Sequence, residues 1–342
     1  MLPDPTEPAT PGSSGSLSDR DFNYRLLRKA ILTAVRAVLS QLRSSLVSSS
    51  TLRSLERTNK DRTDQTREID IMALGLYRQE LETYLVATPA LLCSEENPTG
   101  DILGGGDSSL PDLIYIVDPI DNTDGAVHGA PCYTALSVYQ RSARTVIAAA
   151  VGDFFHNEIY YADEERNGAY RYPLSPETKA DPGFEIRPAS RQKLPGAYIA
   201  IYTLKPKRLQ ALAKASELLD QLGDDGRIDC IGGAAGLARV ATGYIDAAVE
   251  FAKGFQTYDL FPGAYLLMKA GGFCYRPDTG DSVSLSLEFS AQEELSTALK
   301  MRQSFVGACT HTLSNKILLA LTADGVVGTK RSRTSRPRSR KK

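Results

Sequence analysis

Apolar residues recur every three or four positions near the start of the chain, and this period predicts a long first helix over residues 22–42. The apolar face consists of Phe22, Leu26, Leu27, Ala30, Ile31, Ala34, Val35, Val38, Leu39 and Leu42. A polar segment over 57–67 separates it from a second predicted helix over 68–86. Both helices are expected to pack on one face of the sheet that the following segments predict.

Short apolar runs separated by turn-forming residues then predict a largely antiparallel sheet. The predicted strands cover residues 113–118, 133–139, 145–153, 158–162 and 169–172. Residues 97–111 contain three consecutive glycines and are expected to form a loop. Because no G-K-[ST] follows the glycines, they do not indicate a phosphate-binding loop.

The pattern changes after a proline-containing segment over 173–188, where predicted strands and helices alternate. The strands cover 197–202, 228–231, 245–251, 273–276 and 304–307, and the helices cover 206–222, 233–242, 259–270 and 311–321. The chain is therefore predicted to have an α+β half over 19–180 and an α/β half over 181–325. A disordered leader over 1–18 and a disordered basic tail over 326–342 are expected to flank them.

Composition places the chain among soluble globular proteins. Its 342 residues are 42% hydrophobic and 24% charged, which is typical of that class. No apolar run approaches the roughly 18–20 residues of a membrane helix, and no secretory signal opens the sequence. A cytoplasmic protein without a membrane span is therefore expected. Five widely spaced cysteines without a C-x-x-C pair predict free, mostly buried thiols.

The net charge of −1 conceals an uneven distribution. Residues 330–342 hold eight Lys or Arg and no acid, so removing them leaves a charge of −9 on the rest. Such a tail is able to hold a polyanion, such as nucleic acid or an acidic membrane surface. A tail that is only solvated explains the same composition.

Candidate chemistry appears where the strand over 113–118 ends. Pro119 has no amide to donate, so the chain is expected to turn there and bring Asp121 beside Asp118. Carboxylates and exposed carbonyls at one strand end suit Mg²⁺, Ca²⁺ or Mn²⁺ rather than zinc or copper. Taken alone, the spacing is also explained by an acidic turn that ends a strand.

Three segments in this order give the spacing a more specific meaning. They are Glu95-Glu96 after an apolar run, Asp118-Pro119-Ile120-Asp121-Asn122-Thr123, and Tyr258-Asp259-Leu260-Phe261-Pro262-Gly263-Ala264. Together they resemble the inositol monophosphatase superfamily of Mg²⁺-dependent, lithium-sensitive sugar phosphatases, over about residues 61–321. The local patterns at 66–70 and 129–133 resemble its archaeal-type inositol monophosphatase/fructose-1,6-bisphosphatase branch. The resemblance implies a layered α-β-α-β-α sandwich with the site between its halves, and a homodimer.

The resemblance also implies two Mg²⁺ ions, or three, held by carboxylates from several segments. It places Glu95, Asp118 and the carbonyl of Ile120 on the first ion. It places Asp118, Asp121 and Asp259 on the second.

The catalytic residues implied by the family are Glu95, Thr123 and Asp70. Thr123 matches the threonine that holds a metal-activated water, and Asp70 matches the aspartate that orients this threonine. An ordinary acid near a helix start, favoured by the helix dipole, also explains Asp70.

Substrate contacts are implied at two places. Backbone amides at Asn122 and Thr123 are expected to hold phosphate oxygens, although the family usually has glycine at position 122. Asparagine tolerates the left-handed backbone better than most residues. Asp124, an acid where the family often has Thr or Tyr, is expected either to repel phosphate or to recruit a third Mg²⁺.

The sugar side of the implied site is carried by the second half. It includes Gly232, Gly233 and Ala234, with Gly233 replacing the family's hydroxyl residue, and Glu250, which matches an acid that contacts substrate hydroxyls. Lys253 lies in a lengthened loop and is able to reach a second phosphate, although a solvated surface lysine explains it as well.

The sequence thus predicts a phosphoric monoester hydrolase acting on a small polyol or sugar phosphate, with inositol monophosphate and fructose 1,6-bisphosphate as first candidates. A phosphoadenosine phosphate or NADP phosphatase of the same family is an alternative. A catalytically altered member that serves as a nucleic-acid-associated or regulatory protein is another, motivated by the basic tail and by Asn122 and Asp124.

Overall fold

The computed structural model describes residues 23–47, 62–85, 88–104, 110–123, 126, 130–174, 183–203 and 206–326. The predicted leader over 1–18, the tail beyond Val326 and Asp124 lie outside the described residues. Within the described ranges, no helix has the combined length and apolar character needed to cross a bilayer. All five cysteines are free, and all but Cys230 are buried.

The described part of the chain contains eight helices. They are α1 (Tyr24–Val47), α2 (Arg62–Tyr84), α3 (Pro206–Leu212), α4 (Ser216–Leu222), α5 (Gly233–Ala241), α6 (Thr257–Lys269), α7 (Gln292–Lys300) and α8 (His311–Ala323). The predicted 206–222 helix is two helices, because the chain tightens between them. There the amides of Lys214 and Ala215 bond carbonyls three residues back, which interrupts the α-helical ladder.

Thirteen strands of the described chain form two sheets. They are β1 (Ala90–Ser94), β2 (Asp101–Leu103), β3 (Leu113–Asp121), β4 (Tyr133–Gln140), β5 (Thr145–Asp153), β6 (Glu158–Asp163), β7 (Ala169–Pro173), β8 (Phe184–Ile186), β9 (Tyr198–Ile201), β10 (Arg227–Asp229), β11 (Ala247–Phe255), β12 (Phe273–Tyr275) and β13 (Gln303–Ala308). The eight-stranded sheet has the order β2-β1-β3-β4-β5-β6-β7-β8, and the five-stranded sheet has the order β10-β9-β11-β13-β12. All pairs in the first sheet are antiparallel except β1–β3, as the largely antiparallel prediction requires.

The sheets and helices stack in five layers. Helices α1 and α2 cover the outer face of the large sheet, and their apolar faces share a core with it. Helices α5 and α6 lie between the two sheets. On the far side of the small sheet, α3 contacts β11, α8 contacts β12 and β13, and α4 packs on α8. The predicted α-β-α-β-α sandwich is confirmed.

Pro119 does not end its strand, contrary to the prediction. β3 continues to Asp121, with two residues of β3 opposite one residue of β4 between the pairs Asp118–Ala135 and Asp121–Tyr133. On its other side, β3 pairs with β1 only as far as Val117. Pro119 therefore sits in a β-bulge beside an unpaired edge, where the missing amide leaves no ladder bond unmade.

Candidate metal and phosphate site

A polar cavity of about 540 Å³ opens where ends of β1 and β3 meet the starts of α5 and α6. Most of the predicted site residues line it, together with several that the sequence did not indicate. The lining residues are Asp70, Glu95, Glu96, Asp118, Ile120, Asp121, Asn122, Thr123, Tyr202, Arg208, Gly232, Gly233, Phe255, Gln256, Asp259 and Arg302. Both halves of the chain therefore contribute to one cavity.

Three carboxylates converge in this cavity. Asp118, Asp121 and Asp259 each offer an oxygen, and these oxygens lie within 4.8 Å of one another. The bulge in β3 brings Asp118 and Asp121 to the same side, and Asp259 enters from the first turn of α6. Glu95 lines the same cavity without belonging to this cluster, and its Oε1 lies 3.4 Å from Gln256 Nε2.

Asp121 is held tightly by the start of α5. Its carboxylate accepts the backbone amides of Ala234 and Ala235. Gly233 has a φ of +63°, and a Cβ at that position would collide with the Asp121 carboxylate. Glycine is thus required at position 233 both by backbone conformation and by close approach.

The carboxylate cluster fits a hard divalent cation. Asp121 Oδ2 is buried and has no hydrogen-bond partner among the described residues. Burial and the neighbouring charge of Asp121 raise the pKa of Asp118 well above its usual range. Burial, followed by the charge of Asp259, does the same to the pKa of Asp121. Three clustered oxygen ligands and an unsatisfied carboxylate oxygen are a suitable environment for Mg²⁺ or a similar ion.

Asp259 responds to the same surroundings. Burial and the charge of Glu95 raise its pKa from 3.8 to about 6. Its carboxylate also accepts the Gln256 amide at 3.3 Å, at the start of α6, which favours the charged form. The positive end of the helix dipole adds to that preference.

Thr123 and Asp70 lie side by side at the cavity. The Thr123 hydroxyl is 3.4 Å from both carboxylate oxygens of Asp70, which is 7% exposed. The same hydroxyl donates to the Ile120 carbonyl at 2.7 Å, a carbonyl that the family resemblance assigns to metal binding. Asp70 and the Thr123 hydroxyl are therefore close enough for the carboxylate to orient the hydroxyl.

The loop after β3 adopts the conformation that its asparagine permits. Asn122 has a φ of 68°, in the left-handed region. Its side-chain amide donates to the Pro131 carbonyl at 2.8 Å, and its own carbonyl accepts the Ala126 amide at 2.9 Å. Asparagine therefore supplies a conformation that glycine would usually supply, and it ties the loop to the segment before β4.

Three of the predicted substrate contacts lie away from the cavity lining. Glu250 is 2% exposed, and its carboxylate pairs with Arg208 and accepts the amides of Ala252, Lys253 and Gly254. The Lys253 side chain is exposed outside the lining residues. Ala234 contributes its amide to Asp121 instead of lining the cavity.

Sequence reasoning missed a second group of lining residues, which includes Tyr202, Arg208, Phe255 and Arg302. None of them belongs to the three motifs. The nearest signal in the sequence was the lengthened spacing between Glu250 and Asp259. Phe255 lies within this spacing, and Glu250 at its start is the residue that pairs with Arg208.

Comparison with curated proteins finds relatives that differ in their names. Over 233 residues the chain is 28% identical to "Nus factor SuhB" of Pseudomonas aeruginosa, covering 64% of this chain and 77% of that protein. Over 264 residues it is 24% identical to "Fructose-1,6-bisphosphatase/inositol-1-monophosphatase" of Methanothermobacter thermautotrophicus, covering 75% of this chain and 83% of the relative.

Solved structures share the fold at lower identity. A Pyrococcus horikoshii protein described as similar to inositol-1 monophosphatase has a TM-score of 0.63 at 17% identity, over 87% of this chain and 99% of that one. The suhB protein of Bartonella henselae has a TM-score of 0.60 at 19% identity, over 86% and 99%. The family model described as "Inositol monophosphatase family" matches residues 22–310. The chain therefore belongs to the inositol monophosphatase family.

Proposed function

We propose that this protein is a Mg²⁺-dependent phosphatase that hydrolyses a small polyol or sugar phosphate monoester. The observation that carries the proposal is the cluster of Asp118 and Asp121, both buried, with Asp259, which is partly buried, beside the Thr123–Asp70 pair. A phosphate monoester needs an activated water and neutralised phosphoryl oxygens. Mg²⁺, when bound, supplies both, because it lowers the pKa of a coordinated water and offsets the phosphate charge.

The chain's own residues divide the remaining work. Asp118, Asp121, Asp259, Glu95 and the Ile120 carbonyl would hold two ions, and a third would involve Asp124. With a metal ion on the Ile120 carbonyl, Asp70 would accept the single hydroxyl hydrogen of Thr123, and the hydroxyl oxygen would be left to accept from the attacking water. The amides of Asn122 and Thr123 would hold phosphate oxygens.

The substrate candidates follow from the relatives. The Methanothermobacter relative is named for two activities, fructose-1,6-bisphosphatase and inositol-1-monophosphatase. Inositol 1-phosphate and fructose 1,6-bisphosphate are therefore the first compounds to test, followed by phosphoadenosine phosphate and NADP.

The proposal is tested by phosphate release from these four compounds with Mg²⁺ and with EDTA. We expect turnover that EDTA abolishes, and a loss of at least about 100-fold in kcat in Asp118→Asn, since electrostatic groups at a reacting phosphate contribute on that scale. Asp112→Asn is a matched control, because Asp112 is a carboxylate one residue before β3 that bonds Gln140 and Ser142 away from the cavity. Undiminished activity in Asp118→Asn would refute the site.

A second role is favoured by a different observation. The Pseudomonas relative is named as a Nus factor, and residues 330–342 of this chain carry eight positive charges. We infer an accessory polyanion contact by this tail, with affinity that falls as salt rises. Gel shifts with RNA, with and without residues 330–342, test it. Loss of binding with unchanged hydrolysis separates the tail from the phosphatase site, whereas binding that survives truncation contradicts this role.

A further inference from the structure

The wall of the cavity on the side of the small sheet is built from two aromatic rings and an arginine. The rings of Tyr202 and Phe255 meet edge to face, with centroids 5.8 Å apart. The Arg208 guanidinium lies 4.6 Å from the Tyr202 centroid and 5.3 Å from the Phe255 centroid. Cation–π contacts of this kind fix a guanidinium plane while leaving its donors available.

This wall adjoins the carboxylate cluster in two directions. A Cβ on Gly232 would collide with the Tyr202 ring, and a Cβ on the neighbouring Gly233 would collide with the Asp121 carboxylate. On the other side, Phe255 precedes Gln256, whose amide bonds Asp259. Arg208 is therefore connected to the cluster through Tyr202 and the Gly232-Gly233 pair on one side. Phe255 and Gln256 connect it on the other side.

Glu250 holds Arg208 and has no capacity left for a ligand. One carboxylate oxygen pairs with Arg208 Nη1, and the other accepts the amides of Ala252, Lys253 and Gly254. An arginine has five N–H donors. Among the described residues, Glu250 is the carboxylate that forms an ion pair with Arg208. The cavity therefore presents a guanidinium where an unpaired acid would have accepted sugar hydroxyls.

A second guanidinium, from the residue before β13, contacts the same part of β11. Arg302 lines the cavity, and its Nη1 donates to the Gly254 carbonyl at 3.0 Å. Gly254 also donates its amide to Glu250 at 3.0 Å, so Gly254 and Glu250 together connect the two arginines. Among the described residues, no carboxylate forms an ion pair with Arg302. Its charge opposes the rise that burial and Glu95 cause in the pKa of Asp259, and no carboxylate of the described chain lies within ion-pair distance to block its approach to an anionic ligand in the cavity.

We propose that Arg208 and Arg302 form a subsite for a second anionic group, so that the preferred substrate is a small bisphosphorylated molecule. This inference rests on the proposed function, in which the first phosphate lies at the carboxylate cluster. A cavity of about 540 Å³ exceeds the space of one phosphate and admits a sugar-sized body between the two anions. Guanidinium groups suit phosphate because their donors match its oxygens in pairs.

The test compares substrates that differ only in the second phosphate. One pair is fructose 1,6-bisphosphate and fructose 1-phosphate, and the other is adenosine 3′,5′-bisphosphate and adenosine 3′-monophosphate. We expect the wild type to have a higher kcat/KM for the bisphosphate of at least one pair. Arg302→Ala is expected to reduce that advantage by about 10-fold or more, chiefly through KM, as for loss of a charged hydrogen bond.

Arg208 needs a gentler substitution, because removing its charge would leave Glu250 buried without a partner. Arg208→Lys keeps the charge and loses the planar fork, so we expect an intermediate loss on the bisphosphate. Arg187→Ala is the matched control, since Arg187 is 77% exposed and pairs with Glu185 on the surface. Circular dichroism of each variant establishes that the fold is intact.

The outcomes separate this inference from the proposed function. Equal kcat/KM within both pairs, or equal losses on both members in Arg302→Ala, would overturn the second-anion subsite while leaving the phosphatase in place. If no compound is hydrolysed, the proposed function fails. The subsite is then decided by calorimetric binding of the same pairs with Mg²⁺ present, where the bisphosphate must bind more tightly and lose its advantage in Arg302→Ala.

Discussion

A single asparagine keeps the loop after β3 in the conformation that the site needs. Asn122 combines a φ of 68° with a side-chain bond to the Pro131 carbonyl. Asn122→Ala removes the bond and places a less tolerant residue in the left-handed region, so we expect a loss of about 1–2 kcal/mol in the free energy of unfolding.

Asn122→Gly separates the two effects, because glycine tolerates the backbone but cannot make the bond. It should fall between the wild type and the alanine variant in urea unfolding. Equal stabilities for the glycine and alanine variants would mean that backbone conformation contributes nothing at this position.

Glu250 illustrates how a residue with an expected substrate role acts in the scaffold. Its substitution by alanine strands the buried Arg208 and three backbone amides, so we expect a loss of about 3–5 kcal/mol in the free energy of unfolding. Glu185→Ala removes an exposed carboxylate that pairs with Arg187, and it should cost less than about 1 kcal/mol. Urea denaturation of the two variants checks this, and similar small losses for both would contradict the structural role.

At the scale of elements, the junction between β3 and the start of α5 decides the shape of the metal site. Gly233→Ala would push against the Asp121 carboxylate, whereas Gly223 has a similar φ of +70° with nothing near its Cβ position. Both alanine variants carry backbone strain, but only Gly233→Ala should also displace Asp121, a proposed metal ligand.

We therefore expect Gly233→Ala to weaken Mg²⁺ binding by about 10-fold or more, a scale typical of changes beside metal ligands. Gly223→Ala should bind Mg²⁺ like the wild type despite a lower melting temperature. The rise in melting temperature with added Mg²⁺ measures both, and an equal Mg²⁺ response would show that Asp121 does not need its contact with α5.

Strong local periodicity made most elements predictable, and its absence explains the failures. The edge strand β2 has three residues and was predicted as loop, and α7 went unpredicted. After the tight turn that ends α3, Asp324 caps the start of α4 by accepting the Ser216 hydroxyl and the Glu217 amide. A cap supplied from 107 residues away leaves no pattern near the helix it starts.

The site residues also differ in whether they lie close together in the sequence or come from distant segments. Asp118, Ile120, Asp121, Asn122 and Thr123 stand together in the sequence, so their convergence in the cavity was predictable from one segment. Arg208 reaches Glu250 across 42 residues, from a short helix that carries none of the three motifs. Local pattern therefore identified the carboxylate cluster and missed the arginine wall.

At the scale of the whole molecule, the carboxylate cluster places like charges from the two halves of the chain close together, and these charges repel each other when no cation is bound. Asp118 and Asp121 belong to the large sheet, whereas Asp259 belongs to a helix packed between the sheets. Mutual repulsion of their charges opposes the packing that brings them together, and a divalent cation converts that repulsion into a link.

This conflict gives the metal-free protein an unusual pH dependence. The pKa of Asp259 is raised from 3.8 to about 6 by burial and by Glu95. The folded state therefore binds the proton more tightly than the unfolded state. The stabilising effect of that proton is complete below pH 4 and is lost as the pH rises through about 6.

Asp259→Asn isolates this contribution, because the amide is similar in shape and does not titrate. In EDTA, the stability of the wild type relative to Asp259→Asn should fall between pH 4 and pH 6, by on the order of 1–3 kcal/mol. Saturating Mg²⁺ should reverse the sign at pH 7, since the ion needs the charged carboxylate. Urea unfolding of both proteins, with EDTA and with Mg²⁺, measures the difference. A relative stability that does not change with pH in EDTA would mean that the charge of Asp259 is already compensated by the protein, and that the cluster does not require a cation to hold the two halves together.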